Sequence, residues 1–191
     1  MGYCGRGRSV TGISVCVFCA SGTADPDSLA LAAAFGTEIG RRGWQLVSGG
    51  GSISMMGALA RSARAAGAHT VGVIPGALAE LEVADTDADE LIVTVTMSER
   101  KRIMAERADA FVTLPGGIGT LEELFEVWTG GYLGMHDKPV VLLDPRGHYR
   151  QLLDWLAGLQ HDRFVSPAAL ARLSVVTDAG AALDLCGGHQ P

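Results

Sequence analysis

The chain has 191 residues, of which 48% are hydrophobic, and its formal net charge at pH 7 is -6. This length is typical of one compact domain, and the hydrophobic fraction is sufficient to form a full core. The acidic balance argues against a nucleic-acid-binding or anionic membrane surface, because such surfaces need clustered lysine and arginine. We therefore expect a soluble protein without nucleic-acid or membrane partners, in which any anionic ligand is bound by local groups.

The N-terminal segment loosely resembles a secretory signal, since Arg6 and Arg8 precede an apolar stretch at residues 13–20. That stretch is too short for a signal, and its β-branched residues favour a buried first strand. We therefore predict a flexible leader at residues 1–11, one domain at residues 12–187 and a short tail at residues 188–191.

Short apolar runs then alternate with longer helical patterns. The runs predict strands at residues 13–19, 44–47, 70–74, 91–95, 110–114, 139–143 and 173–176. Strands that are buried on both faces read as continuous hydrophobic runs, and the helices between them supply the crossovers of a parallel sheet. The sequence thus predicts a single-domain α/β fold, namely a three-layer, Rossmann-like, doubly wound parallel sheet.

Local patterns support two of the helix starts. Asp25 is followed by a proline, as at a capped helix start, and Thr96 and Glu99 have the spacing of a capping box. Between these helices, the acidic segment at residues 85–90 is expected to be solvated, as charge runs usually are.

The four cysteines do not have the pattern of a disulfide framework. Cys4 and Cys186 lie near opposite ends, and Cys16 and Cys19 are three residues apart on the first predicted strand, which directs their thiols to opposite faces. The five histidines show no paired metal-ligand spacing. We therefore expect no metal site and a cytoplasmic location.

Glycine-rich segments follow three predicted strands, at residues 21–22, 48–52 and 115–120. Ligands of a doubly wound sheet bind beyond the carboxyl ends of its strands, and glycines before a helix N-terminus suit phosphate. The third segment matches neither common phosphate motif, because Glu122 replaces the last glycine of a dinucleotide loop and no Gly-Lys-Ser/Thr follows. From spacing alone, it is either a structural turn with a helix cap or a phosphate site.

The helix predicted to begin near Met97 interrupts its apolar stripe with two cations. Met97, Arg100, Lys101, Met104 and Ala108 fall on one face at helical spacing. Long basic side chains on such a face either extend past it to solvent or meet an anionic ligand in a partly closed site.

Two glutamates occupy the first turn of the next predicted helix. Its apolar stripe contains Leu121, Leu124, Phe125 and Trp128, and Glu123 points away from that stripe. Thr120 and Glu123 have capping-box spacing, which favours a structural role. Alternatively, a carboxylate beside a phosphate site could stabilise an oxocarbenium ion or position water, as in glycoside cleavage.

The sequence Pro-Gly-Gly-Ile-Gly-Thr-Leu-Glu-Glu at 115–123, preceded by Met-Ser-Glu-Arg-Lys at 97–101, resembles the LOG ("Lonely Guy") family. The resemblance covers residues 13–178 and includes the sequences at 48–51, 71–75 and 133–139. Members of this family are cytokinin riboside 5'-monophosphate phosphoribohydrolases, formerly labelled lysine decarboxylases. The resemblance implies a homodimeric Rossmann-like enzyme that hydrolyses N6-modified AMP to the free base and ribose 5-phosphate without a cofactor.

The resemblance also implies roles for individual residues. Arg100 and Glu123 match the catalytic pair of the family, and a neighbouring subunit that closes the site would explain the outward direction of Glu123. Met97 and Ser21 are expected to line the pocket. The positions that match nucleotide contacts are Glu82, Lys101, Gly116, Gly117, Ile118, Gly119, Thr120, Leu121, Glu122 and Thr129.

Three departures from the family pattern bear on substrate preference. Ser48 stands where relatives have Tyr, Ser54 where they have Gly, and residues 130–132 read Gly-Gly-Tyr in place of Trp-Ala-Gln. Two alternatives to the cytokinin-specific enzyme remain open, namely a general AMP nucleosidase and a non-catalytic carrier of a nucleotide or of molybdenum cofactor.

The older decarboxylase label has little support in the sequence. Pyridoxal-phosphate chemistry needs a Schiff-base lysine. The chain has only Lys101, in the phosphate-side motif, and Lys138, at a predicted strand start.

Overall fold

The computed structural model describes residues 12–79 and 83–188. The predicted leader at residues 1–11, the candidate substrate contact Glu82 and all but the first residue of the predicted tail lie outside the described residues.

Strands and helices alternate along the described chain. The strands are β1 Ser14–Phe18, β2 Gln45–Ser48, β3 His69–Pro75, β4 Glu90–Thr94, β5 Ala110–Thr113, β6 Val140–Leu143 and β7 Leu173–Val176. The helices are α1 Pro26–Arg41, α2 Ser54–Ala65, α3 Gly76–Ala79, α4 Met97–Arg107, α5 Ile118–Tyr132, α6 Arg150–His161, α7 Pro167–Leu170 and α8 Ala179–Gly187. Each predicted strand is confirmed, and its ends differ from the prediction by no more than one residue.

The strands form one parallel sheet in the order β4-β3-β2-β1-β5-β6-β7. The chain winds outward from β1 to β4 in one direction, and then returns to place β5 on the other side of β1. The predicted doubly wound sheet is therefore confirmed. Its topological switch point lies between β1 and β5, and the crevice at the carboxyl ends of these strands is where such sheets bind ligands.

Two hydrophobic clusters cover the two faces of the sheet. One includes Phe35 of α1 and Leu59 of α2, and the other includes Met104 of α4 and Leu124 of α5. Cys19 belongs to the first cluster and Cys16 to the second, so the predicted opposite directions of these thiols are confirmed. The result is the expected three-layer arrangement.

Side chains cap the two helices whose starts were predicted. The Asp25 carboxylate accepts hydrogen bonds from the amides of Asp27 and Ser28, both at 3.1 Å. At the start of α4, the Thr96 hydroxyl oxygen accepts from the Glu99 amide at 3.1 Å, and the Glu99 carboxylate accepts from the Val95 amide at 2.9 Å. These contacts satisfy amides that have no partner within the helix.

The prediction that the acidic segment 85–90 is solvated is wrong for part of it. Asp85 is buried, and its two carboxylate oxygens accept from the Arg64 guanidinium at 2.7 and 3.0 Å. The Asp89 carboxylate accepts from the Thr70 amide at 2.9 Å. Asp89 remains exposed, whereas a buried carboxylate such as that of Asp85 needs a partner. The partners of both residues lie on α2 and β3, where the charge run alone does not reveal them.

Candidate active site

The glycine turn at residues 115–120 connects β5 to α5 beside the switch point. The helix begins at Ile118, with Gly117 as its N-cap and no side-chain cap. The first amides of a helix have no partner within it, so an uncapped start at the edge of a crevice favours an anion. Thr120 lies inside the helix, which excludes the alternative of a Thr120–Glu123 capping box.

Thr120 also explains one glycine of the turn. Its side chain is buried against Gly116, and a Cβ added to Gly116 would lie 2.1 Å from the Thr120 hydroxyl oxygen. Any larger residue at position 116 would therefore displace Thr120 from the wall of the crevice.

Arg100 is buried at the carboxyl ends of β2 and β3, and only 5% of its surface is exposed. Its Nε donates to the Val73 carbonyl at 3.1 Å, and its Nη2 donates to the Gly49 carbonyl at 3.2 Å. A Cβ on Gly49 would lie 2.0 Å from Nη2, so the glycine leaves room for the guanidinium. Of the two sequence interpretations, extension to solvent is wrong for Arg100, and the guanidinium points into the crevice.

Glu123 lies in the same crevice and is 9% exposed. Its Oε1 is 3.9 Å from Nη2 of Arg100. The expectation that Glu123 points outward is wrong, because the first turns of α5 lie across the carboxyl edge of the sheet. There, the face opposite the apolar stripe meets the crevice rather than solvent. The opposite charges of Arg100 and Glu123 partly offset each other's loss of hydration.

These groups line a cavity of about 450 Å³, which is a typical volume for a small-molecule site. Its walls combine the uncapped turn, the two buried charges and apolar side chains from β1, α2, α3 and α4. The lining residues are Val17, Phe18, Cys19, Ala20, Ser21, Gly22, Thr23, Gly49, Met56, Leu78, Met97, Arg100, Gly117, Ile118, Gly119, Thr120, Glu122 and Glu123. The cavity therefore combines groups that suit an anion, apolar surface and a carboxylate within one site.

Most of the predicted site residues meet in this cavity. Those that line it are Ser21, Met97, Arg100, Gly117, Ile118, Gly119, Thr120, Glu122 and Glu123. Gly116 lies behind Thr120, and Leu121 packs against the core. Thr129 lines a separate, aromatic cavity of about 240 Å³ between α5, α6 and α7. The roles of all these residues stay predictions.

Lys101 is ion-paired outside the cavity lining. Its ammonium contacts the carboxylates of Glu122 and Glu126 on α5. Burial disfavours the charge on the ammonium, but the hydrogen bonds and charges of both carboxylates outweigh it and raise the pKa of Lys101. A contact between Lys101 and a nucleotide would have to compete with these carboxylates.

Several lining residues were not predicted individually. Gly49 belongs to the second glycine segment, and the position of that segment after a strand was a usable signal. Met56 and Leu78 have no local signal, because they reach the cavity only through the packing of α2 and α3 around the crevice.

One departure from the family pattern lies at the rim of the cavity. Ser54, the first residue of α2, has a φ of 51°, in the left-handed region that favours glycine. Its hydroxyl donates to the carbonyl of Gly22, a residue that lines the cavity. By contrast, Tyr132 lines the aromatic cavity. The departure at residues 130–132 therefore lies apart from the cavity that contains Arg100 and Glu123.

The lysines do not fit a Schiff-base role. Lys101 is held by two carboxylates, and the Lys138 ammonium donates to the Ala105 carbonyl at 2.7 Å, so neither lines the cavity. Within residues 12–79 and 83–188, no cluster of three His, Cys, Asp or Glu side chains could hold a metal ion. No helix in this part of the chain is long and apolar enough to cross a membrane.

Comparison with known sequences identifies the family. The family model described as "Possible lysine decarboxylase" matches residues 56–186. The chain is 56% identical to a cytokinin riboside 5'-monophosphate phosphoribohydrolase of Mycobacterium tuberculosis, over 91% of this chain and 92% of the relative. This chain belongs to the LOG family. It is also 44% identical to an Arabidopsis thaliana enzyme of the same name, over 81% of this chain and 73% of that relative.

Solved structures agree with the LOG fold. A molybdenum cofactor binding protein from Rippkaea orientalis superposes with a TM-score of 0.72 at 23% identity, covering 94% of this chain and 98% of that one. A molybdenum cofactor carrier protein from Chlamydomonas reinhardtii gives a TM-score of 0.66 at 26% identity, covering 93% and 96% of the two chains. The LOG-family relatives named as hydrolases are thus much closer in sequence than these two molybdenum cofactor proteins.

Proposed function

We propose that this LOG-family chain hydrolyses the N-glycosidic bond of cytokinin riboside 5'-monophosphates, giving the free base and ribose 5-phosphate. The observation that carries the proposal is the buried pair of Arg100 and Glu123, which lies in one cavity with an uncapped helix start. A relative that is 56% identical over most of the chain and bears the name of this activity supports it.

The 5'-phosphate is assigned to the glycine turn. The amides at the start of α5 and the hydroxyl of Thr120 supply donors, and the helix dipole favours negative charge there. Binding the phosphate at a fixed point would hold the sugar in a constant orientation toward the carboxylate, which lowers the entropic part of the barrier.

Arg100 and Glu123 are assigned to the chemistry. As the bond between C1' and the base nitrogen breaks, positive charge develops on the sugar, and the Glu123 carboxylate stabilises it. The same carboxylate directs a water molecule to C1'. The water oxygen bonds to C1', and one water proton ends on the departing base. Arg100 orients the ribotide and offsets negative charge.

The N6-substituted adenine is assigned to the apolar part of the cavity. Phe18, Met56, Leu78 and Met97 line it, and burial of an alkenyl tail against such side chains is favourable. This assignment makes AMP, which lacks the tail, a weaker substrate than the modified nucleotide.

We further propose a cytoplasmic homodimer whose second chain covers the cavity rim. Val95 and Ile118 are each 88% exposed, and they lie at the starts of the helices that carry Arg100 and Glu123. Exposed apolar side chains around a site are typical of an interface. Light scattering on the purified chain, with Val95→Asp as the disruptive variant, tests this assembly.

The experiment that tests the function incubates the purified chain with isopentenyladenosine monophosphate and with AMP, and separates base from ribose 5-phosphate by chromatography. Release of isopentenyladenine, lost in Glu123→Gln, is expected. Equal turnover of AMP would indicate a general nucleosidase. Tight binding of both nucleotides without product would instead support a carrier, the role named for the structurally similar Chlamydomonas protein.

A further inference from the structure

Three consecutive carbonyls are held by groups outside the glycine turn, namely that of Leu114 just before the turn and those of Pro115 and Gly116 within it. The Leu114 carbonyl accepts from the Tyr149 hydroxyl at 2.9 Å, and the Pro115 carbonyl accepts from the Ala20 amide at 3.2 Å. The Gly116 carbonyl is 3.0 Å from Nε2 of His148. Because a carbonyl oxygen only accepts, this contact requires the His148 tautomer or cation that carries a proton on Nε2.

Asp144 holds the backbone of His148 and Tyr149, the two residues whose side chains contact these carbonyls. This buried residue directly follows β6, and its carboxylate oxygens accept from the backbone amides of His148 at 2.7 Å and of Tyr149 at 2.8 Å. The rings of His148 and Tyr149 meet edge to face, with centroids 4.6 Å apart. Asp144, His148 and Tyr149 therefore form one connected unit, which we call the β6 clamp.

The geometry of the peptide bond carries this restraint into the cavity. A carbonyl and the N–H that follows it share one plane, so a fixed Gly116 carbonyl also fixes the direction of the Gly117 amide. Gly117 lines the cavity and caps α5. Glycines have the widest conformational freedom of all residues, so a turn with two in succession needs such external contacts to keep its amides aligned.

Tyr149 holds the chain where it enters the turn, and because the next residue, Pro115, has no N–H, this contact orients the backbone and not an amide. The Tyr149 hydroxyl donates to the Leu114 carbonyl at 2.9 Å. Burial raises the pKa of Tyr149, so the phenol remains a donor over the whole range of practical assay pH.

We propose that the β6 clamp is a positioning element that sets the affinity of the turn for the 5'-phosphate, with His148 aligning the Gly117 amide. This inference rests on the proposed function of the turn. His148 and Tyr149 act through the turn's backbone, so they determine phosphate recognition while the apolar end of the cavity and the Arg100–Glu123 pair are unaffected.

Calorimetry with two separate probes tests the proposal, using ribose 5-phosphate for the phosphate end and isopentenyladenine for the apolar end. His148→Leu and Tyr149→Phe each remove one hydrogen bond, and each should raise the Kd for ribose 5-phosphate about fivefold. The Kd for isopentenyladenine should stay unchanged. His148→Gln, whose amide can donate from the Nε2 position, should restore ribose 5-phosphate binding to within about twofold of wild type.

The outcomes separate this inference from the function on which it rests. If the wild-type chain binds neither ribose 5-phosphate nor nucleotide, the proposed function fails. If the wild-type chain binds ribose 5-phosphate and His148→Leu binds it equally well, the clamp has no positioning role. Equal weakening of both probes, or a His148→Gln variant as weak as His148→Leu, would also overturn the proposal, because it would indicate general damage to the fold.

Discussion

The starts of α4 and α5 lie at the same edge of the sheet and are built in opposite ways. Thr96 and Glu99 close the start of α4 with two side-chain hydrogen bonds. The start of α5 has glycine as its N-cap and no side-chain cap, although Thr120 and two glutamates are nearby. Under the proposed function, this difference separates stability from ligand binding, because one helix start is satisfied internally and the other leaves its amides for the 5'-phosphate.

The largest expected effect comes from neutralising the acid on the open helix. Glu123→Gln should lower kcat/KM by at least about a hundredfold, because it removes the charge that faces the developing cation. Product analysis by chromatography measures this loss. Glu99→Gln on the capped helix is the matched control and should keep near wild-type turnover. Similar losses in the two variants would mean that the open and the capped starts do not differ in function.

A second prediction concerns the room left for Arg100. Gly49→Ala would place a Cβ 2.0 Å from the present position of Nη2, so the guanidinium must move away from its partners. A displacement of about 1 Å is expected to cost up to about a hundredfold in kcat/KM. Steady-state kinetics measures this loss of kcat/KM. Gly158→Ala, at an open helical position, is the control and should leave kcat/KM unchanged; an active Gly49→Ala enzyme would contradict the role of Arg100.

The capped helix should respond in stability rather than in chemistry. Thr96→Ala removes the acceptor of the Glu99 amide and is expected to lower the free energy of unfolding by about 1 kcal/mol. Denaturant titration followed by circular dichroism measures this change. Thr96→Ser retains the hydroxyl and should recover most of the loss, and failure to recover would attribute the effect to lost packing instead of the cap.

An effect on stability that is no larger is expected at the start of α2, where Ser54 adopts a left-handed backbone. Ser54→Ala keeps the unfavourable backbone geometry and loses the contact with Gly22, whereas Ser54→Gly loses the contact and relieves the backbone. The glycine variant should therefore be more stable than the alanine variant by about 1 kcal/mol. Equal melting temperatures for the two variants would show that the Ser54 backbone carries no strain.

The regular elements could be predicted from the sequence because their information is local. Continuous apolar runs gave the strands to within one residue, and Asp25 and Thr96 marked their helices correctly. The failures occurred where distant segments meet. Glu123 was expected to face solvent, since a single helix pattern cannot show that the opposite face covers a crevice. Asp85 was expected to be solvated, since its partner Arg64 lies on another helix.

The site residues show the same difference between local information and tertiary packing. The turn and Arg100 could be proposed from their motifs, whereas Met56 and Leu78 reach the cavity only through tertiary packing. The family resemblance supplied roles that spacing alone left open, between capping and catalysis for Glu123 and between extension to solvent and contact with an anionic ligand for Arg100.

The position of the switch point also bears on how the chain acquires its site during synthesis. The β1 strand pairs with β2 early in the sequence, but its other edge waits for β5, where Val15 faces Ala110. At about 5–20 residues per second, a ribosome takes about 5 to 20 s to synthesise a segment of about a hundred residues. During that interval one edge of the central strand β1 is unpaired, and the turn at residues 115–120 has not been synthesised. Binding competence therefore arises late in translation, and the exposed edge of β1 is the segment that most needs protection from aggregation until then.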